Sequence, residues 1–287
     1  VIIADAHGNY QAIQEFFNHV ENEKPDMIIS AGDMLNPFPD GKEVYKILKD
    51  KNIKCLKGNN DEYLIFHKNA NDSDPLKFIP RFLPVQYAST FFNSDEINEL
   101  EKLPLSISIS AGNNDDLLIC HGTPFDPWKS ISDKKNESLL AQFRRTKENN
   151  IIAAHYHVPW RGNWNNKNLI LCGSCGFPMT GKPESEYLIA EYYNKKWNFR
   201  DIQFSYDRNK HIQNVLNSDY LEQTGPVGWL IFADFLFLED HLMDFFRNEF
   251  KSYKPETYTE LSDSVKKHFA RTKVIEEFQT ITKTYLN

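Results

Sequence analysis

Five short fragments of this chain concentrate groups able to ligate a divalent cation. They are Asp5-Ala6-His7-Gly8-Asn9, Gly32-Asp33, Gly58-Asn59-Asn60-Asp61, His121-Gly122 and His155-Tyr156-His157. Among them stand two carboxylates (Asp5, Asp33), one amide oxygen (Asn59) and four imidazoles (His7, His121, His155, His157). That mixture of oxygen and nitrogen donors suits a pair of divalent metals of intermediate hardness. An Asp and a His two apart in a loop project to one side, and a carboxylate has two oxygens with which to span two metals. Such a pair lowers the pKa of a shared water and clamps the entering and leaving oxygens of an in-line displacement. A single loop histidine is as often solvated, or bonded to backbone, as it is a ligand. The order of the fragments along the chain is therefore the informative feature. His19, His67, His211, His241 and His268 match no motif and read as ordinary surface or core residues.

Each fragment follows an apolar run of strand length, at residues 1–4, 27–30, 53–56, 117–119 and 151–154. Open α/β sheets carry their sites at the carboxyl ends of strands. Between the first runs, Ile13, Phe16, Phe17 and Val20, and later Val44, Ile47 and Leu48, repeat at helical spacing. Strand and helix in alternation predict a layered α/β unit. Residues 61–103 read as mainly helical, ending on Ile97, Leu100 and Leu103, and further strands are expected at 169–171, 187–189 and 197–204. After about Asp207 strand character ends. Leu242, Phe245, Phe246 and Phe250 share one helical face, Leu261, Val265 and Phe269 a second, and Val274, Phe278 and Ile281 a third, with Pro255 between the first two. The division predicted is residues 1–206 and a helical extension, 207–287.

The chain has 287 residues with 40% apolar and 25% charged side chains, which fits a globular protein and excludes a disordered or collagen-like one. A net charge of −7 argues against a broad basic face for nucleic acid, though bound cations would alter that locally. Four cysteines are too few for a disulfide scaffold, and no basic segment leads into an apolar run and cleavage site, so a reduced, cytoplasmic protein is expected. The apolar stretch 227–238, interrupted by Asp234, is short for a membrane span. Its aromatic residues Trp229, Phe232, Phe235 and Phe237 predict packing on the first two hundred residues or on a second copy, because nearby acidic residues disfavour an anionic membrane.

This ordered set resembles the calcineurin-like metallophosphoesterase superfamily, in its bacterial branch that opens with Asp-x-His-Gly-Asn. The likeness extends to Gly32-Asp33-Met34-Leu35-Asn36-Pro37, His121-Gly122-Thr123-Pro124, His157-Val158-Pro159 and Gly173-Ser174-Cys175-Gly176, and covers roughly residues 1–206. It implies a four-layer αββα sandwich of two facing mixed sheets flanked by helices. By position it implies that Asp5, His7 and His157 hold one metal, Asn59, His121 and His155 a second, and Asp33 both. The cofactors implied are two divalent ions, manganese foremost, with iron, zinc, nickel or magnesium as alternatives. The activity implied is hydrolysis of a phosphoester by a metal-bridging hydroxide, on a small phosphoester or nucleotide. Phosphomonoesterase, protein phosphatase and non-catalytic scaffold are the alternatives, the last disfavoured because all seven ligand positions are intact.

Four departures carry information. Many members have His where Asn60 stands, and an amide has no labile proton to give a leaving group near neutral pH. A phosphodiester, a cyclic nucleotide or an aryl phosphate is therefore favoured over an alkyl monoester. Asp61 is expected to orient the Asn59 loop, with a simple turn residue as the equal alternative. Ala154 and Tyr156 replace small residues around the histidine pair and narrow the site. Cys172-Gly173-Ser174-Cys175 has redox spacing but lies at the end of a late strand, where a structural turn is expected. Arg161, just past the histidines, is a candidate for binding substrate phosphate, with a surface role as its alternative. A homo-oligomer through the C-terminal helices is also expected.

Overall fold

The computed structural model describes residues 1–112, 115–130, 141–249 and 257–283. The chain opens with β1 (Ile2–Ile3), α1 (Tyr10–Val20), β2 (Ile29–Ser30), α2 (Gly41–Asp50) and β3 (Lys54–Cys55). Four helices follow: α3 (Asn59–Asn69), α4 (Pro75–Phe78), α5 (Leu83–Ser89) and α6 (Ser94–Glu101). Next come β4 (Ser106–Ile109), β5 (Leu117–Cys120), β6 (Asn150–Ala153), β7 (Trp160–Trp164) and β8 (Lys167–Leu171), then the long hairpin β9 (Ser185–Tyr193) and β10 (Lys196–Phe204). The extension contains α7 (Arg208–Asn217), α8 (Tyr220–Phe237), α9 (His241–Asp244), a π-helical turn at Phe245–Glu249, α10 (Tyr258–Thr272) and α11 (Ile275–Thr282).

Two mixed sheets result, ordered β10-β9-β1-β2-β3 and β4-β5-β6-β8-β7. Their facing sides make one core: Ile2, Ile29 and Leu56 meet Leu117, Ile119, Ile152 and Ile170. Alternate residues on β5 and β6, Leu118, Cys120, Ile151 and Ala153, face away onto Phe143, as the two-residue period of a strand requires. The outer side of the first sheet is covered by the predicted helical stripes, with Ile13, Phe16, Val44, Ile97 and Leu100 all buried. The αββα sandwich is thus present. Its layer over the second sheet is thin, a 3-10 turn at Ala141–Arg145 among the described residues.

The strands β4 and β7, absent from the sequence reading, are both edges of the second sheet. Each pairs with one neighbour only, so Ser106, Ser108, Arg161 and Asn163 stay partly or wholly exposed and no apolar run marks them.

Helix α8 is broken at Gly225, whose φ of 55° is left-handed and whose added Cβ would meet the Tyr258 ring at 2.6 Å. Pro226 follows, with no N–H to bond back. Beyond the break the helix is buried almost all round, and Trp229, Phe232 and Phe235 pack within this chain. The core of the extension includes Phe38, Tyr87 and Phe177 from the first two hundred residues, which accounts for its attachment there. Phe250 and Pro255 lie outside the described residues. Among those described, no helix is long and apolar enough to cross a membrane.

His211 lies inside this joint, its ring centroid 4.8 Å from that of Phe38 and 4.9 Å from that of Phe235. Neither ring nitrogen has a hydrogen-bond partner. Burial, helped by the Arg208 charge, lowers its pKa to about 3. The unfolded chain takes up this proton near pH 6.5 and the folded chain does not, so stability falls as pH drops from about 6.5 towards 3, by on the order of a few kcal/mol. His211→Leu, which fills the site without a titrating group, should move the acid-unfolding midpoint to lower pH. Circular dichroism across an acid titration checks this, and an unchanged midpoint would contradict it.

Candidate metal centre

The five fragments converge at the carboxyl ends of the strands, where the backbone turns sharply. Asp5, His7, Asp33, His155 and His157 all have positive φ, between 52° and 67°. Non-glycine residues rarely adopt that region, and clusters of them occur where function constrains the chain. The turns are knitted together by backbone bonds from Asp5 N to Gly32 O (3.0 Å), His7 N to Asp33 O (3.0 Å) and Gly8 N to Met34 O (2.8 Å). The start of α3 approaches Asp33 so closely that a Cβ on Gly58 would lie 2.1 Å from Asp33 Oδ1. Only glycine fits there.

Two clusters of donor atoms form, Asp5 with His7 and His157, and Asp33 with His121 and His155. Within each, the candidate ligand atoms lie within 4.8 Å of one another. Asp33 Oδ2 stands between the clusters, 3.3 Å from His121 Nε2 and 4.0 Å from His7 Nε2. Three rings are held from behind by backbone carbonyls: His7 Nδ1 by Asn36 O (2.7 Å), His157 Nδ1 by Phe177 O (2.7 Å) and His121 Nδ1 by Ala31 O (2.9 Å). A carbonyl only accepts, so each Nδ1 carries the hydrogen; the neutral rings of His7 and His157 turn a bare Nε2 lone pair inward, and His121 turns inward an Nε2 whose proton a cation would displace. His7 Nε2 and His157 Nε2 then face each other at 3.1 Å. Two lone pairs cannot bond to each other, but both can bond to a cation.

The oxygens agree. Asn59 turns its amide oxygen to within 2.7 Å of His155 Nδ1, 3.0 Å of His121 Nε2 and 3.1 Å of Asp33 Oδ2. Reversing the amide satisfies more hydrogen bonds in the metal-free protein, and a cation bound there would hold the oxygen inward instead. Asp5 Oδ1 is buried with no hydrogen-bond partner and lies 3.5 Å from His157 Nε2. An orphaned carboxylate oxygen among lone pairs is the environment of a metal ligand, and the residues fit a divalent ion at each cluster.

Electrostatics lead to the same reading. Burial pushes the Asp5 carboxyl up to about 8. Burial also opposes ionisation of Asp33, yet the neighbouring His121, with His7 and His155, holds its carboxyl far below the usual range. His121 is raised to about 9 against its burial by Asp33 and Asp5, while burial and the His121 charge lower His155 to about 4. The cluster thus holds acidic protons that a bound cation would displace.

Asn60 and Asp61 sit beside these groups. The Asn60 backbone N–H donates to Asp33 Oδ1 and its side-chain amide to Asp33 Oδ2, both at 2.7 Å. Asp61 Oδ2 accepts from Gly58 N (2.9 Å) and Asp33 N (3.0 Å), tying the second and third fragments together. Arg161 is not brought to the site. Its Nη2 donates to both oxygens of Asp201 at 2.7 Å, across to β10, and the residue does not line the cavity described next. The reason is its place on edge strand β7, from which its side chain reaches across to the edge strand β10 of the other sheet, which nearness in sequence to His157 does not reveal. Cys172 and Cys175 are buried and unbridged, with thiols pushed up by burial, and Ser174 Oγ donates to Asp5 O at 2.7 Å. That segment supports the Asp5 turn.

His7, Asp33, Asn59, Asn60, His155 and His157 form one wall of a cavity of about 560 Å³. The opposite walls come from α3, from the 3-10 turn Pro80–Phe82, from Trp128 and from the extension. Among the described residues, Arg81 is the only Lys or Arg that lines it. No motif marked Arg81 or Trp128 in the sequence. Arg81 reaches the cavity because the helices of residues 59–101 fold back over the strand ends, and Trp128 is drawn there by its indole N–H donating to Glu62 of α3.

A family model for calcineurin-like phosphoesterases matches residues 1–180, and the chain belongs to that family. The fold is shared with a metallophosphoesterase from Sphaerobacter thermophilus, at 20% identity and a TM-score of 0.59, over 79% of this chain and 97% of that one. A hypothetical protein from Pyrococcus horikoshii gives the same TM-score at 18% identity, over 78% of this chain and 93% of its own. No curated protein matches the chain.

If the two clusters hold metal, Mn²⁺ added to metal-stripped protein should raise the melting temperature, by the equivalent of about 2.7 kcal/mol per bound ion at a hundred times its Kd. Asp33→Ala should abolish the shift and the metal content together. Calorimetry with elemental analysis checks both, and an equal shift in the variant would place the metal elsewhere.

Proposed function

We propose that the chain is a dinuclear metal-dependent phosphoesterase that favours phosphodiesters. The observation that carries this reading is the inward-facing Nε2 of His7, His121 and His157, each ring fixed by a carbonyl behind its Nδ1. Asp5, His7 and His157 hold one ion, Asn59, His121 and His155 the other, and Asp33 contacts both. When bound, the ions activate water at neutral pH and neutralise charge on the phosphoryl oxygens. Manganese is the ion to load first, given the mixed oxygen and nitrogen donors.

The protein's own contribution is alignment. Asn60 keeps both Asp33 oxygens in place, and Asp61 fixes the turn that presents Asn59. Neither amide can protonate a leaving oxygen, and the cavity walls opposite the ligands are mainly apolar. A substrate whose leaving group departs unaided, as an aryl ester does, suits this arrangement best. Positioned general acids contribute about 10²–10⁴-fold, and alkyl monoesters lack that help here.

With Mn²⁺, a bis-aryl phosphodiester should be hydrolysed at least about tenfold faster, in kcat/KM, than phosphoserine, and Asn60→His should narrow the gap. Steady-state kinetics on the two substrates checks this. Faster hydrolysis of phosphoserine would overturn the diester preference, and no turnover of either would overturn the phosphoesterase reading.

A further inference from the structure

The cavity beside the metal ligands is larger than a phosphoryl group needs. At about 560 Å³ it falls in the range of sites for whole small molecules, roughly 300–1,000 Å³. Away from the ligands its surface is mainly apolar, with five rings set among aliphatic side chains and the carboxylates of Asp234 and Asp240. Tyr63, Phe82, Trp128, Phe177 and Phe246 all line it, with Met243 and Ile231. The Tyr63 ring meets Trp128 edge-on at 4.6 Å, and Trp128 is fixed by its indole N–H donating to Glu62 at 2.6 Å. On the far side the Arg81 guanidinium lies 5.2 Å from the centre of the Phe246 ring. That contact joins the turn at 80–82 to the π-helical turn of the extension.

Two segments outside the ligand-bearing strands therefore close over the site, and Ile231, Met243 and Phe246 of the extension have no counterpart in the metal chemistry. An apolar chamber to which five rings contribute, continuous with the metal ligands, makes favourable contacts with a flat aromatic group, through quadrupole-matched packing as well as area. A flexible acyl chain would gain the area alone, and a folded protein surface would not enter.

From this we propose that the extension determines specificity, and that the preferred substrate is a small phosphodiester whose non-leaving ester group is aromatic and sits between Tyr63, Phe82 and Trp128 on one side and Met243 and Phe246 on the other. The proposal rests on the phosphoesterase reading above and adds the substrate class. Filling or emptying an apolar subsite by one group is worth roughly 10–200-fold in kcat/KM.

The test holds the leaving group constant. The full chain loaded with Mn²⁺ is assayed on p-nitrophenyl esters of methyl, n-hexyl, cyclohexylmethyl and benzyl phosphate. The benzyl ester should exceed the methyl ester by about tenfold or more in kcat/KM, chiefly through KM, and should also exceed the cyclohexylmethyl and hexyl esters. Phe246→Ala should shrink the benzyl-to-methyl ratio about tenfold. Met243→Ala, at a residue 49% exposed and so tolerant of truncation, should shrink it in the same direction and covers the case in which the first variant does not fold. Equal turnover of all four esters, a preference for hexyl, or ratios unchanged in both variants would overturn the aromatic chamber while leaving the phosphoesterase reading intact. No turnover of any ester would overturn that reading itself, and the chamber with it.

Discussion

Three backbone carbonyls govern this molecule. Asn36 O, Phe177 O and Ala31 O each accept from the Nδ1 of a buried histidine, and each thereby turns an Nε2 towards the same small volume. The arrangement is repulsive by itself. His7 and His157 bring two lone pairs to 3.1 Å, beside a buried Asp5 oxygen with no partner. Folding tolerates it because the sheets on either side hold the turns rigidly. The left-handed backbone at five of the seven candidate ligands is part of the same cost, and cation binding would offset it.

The carbonyls also explain why the extension matters to the site. Asn36 and Phe177 lie in loops whose neighbours, Phe38 and Phe177 itself, are core residues of the extension. Phe38 contacts His211, Tyr220 and Phe235, while the Phe177 ring meets His7 edge-on at 5.6 Å. The helices after Asp207 therefore brace the loops that orient the ligands as well as walling the cavity. This joint couples packing to chemistry: a disturbed Phe38 would loosen the Asn36 carbonyl and with it the His7 ring.

Legibility varied with the kind of signal. Buried central strands advertise themselves as apolar runs, and helices packed on a sheet as three- and four-residue stripes, so the layers could be read directly. The ligand fragments were legible because each follows such a run. Edge strands β4 and β7 bury one neighbour's worth of surface and left no such trace. Arg161 and Arg81 show the limit most clearly. The first is near His157 in sequence but pairs with Asp201, whereas the second is far from every motif yet lines the cavity.

The sequence by itself determined the donor set, its order along the chain, the α/β layering and the change to helix after Asp207. These depend on residue type and short-range periodicity, which are local. Only the tertiary structure decided which nitrogen of each histidine faces inward, which guanidinium stands over the site and that the extension closes the cavity. Those outcomes depend on carbonyls, strand edges and ring contacts brought together from distant parts of the chain, and no local pattern encodes a distance between them.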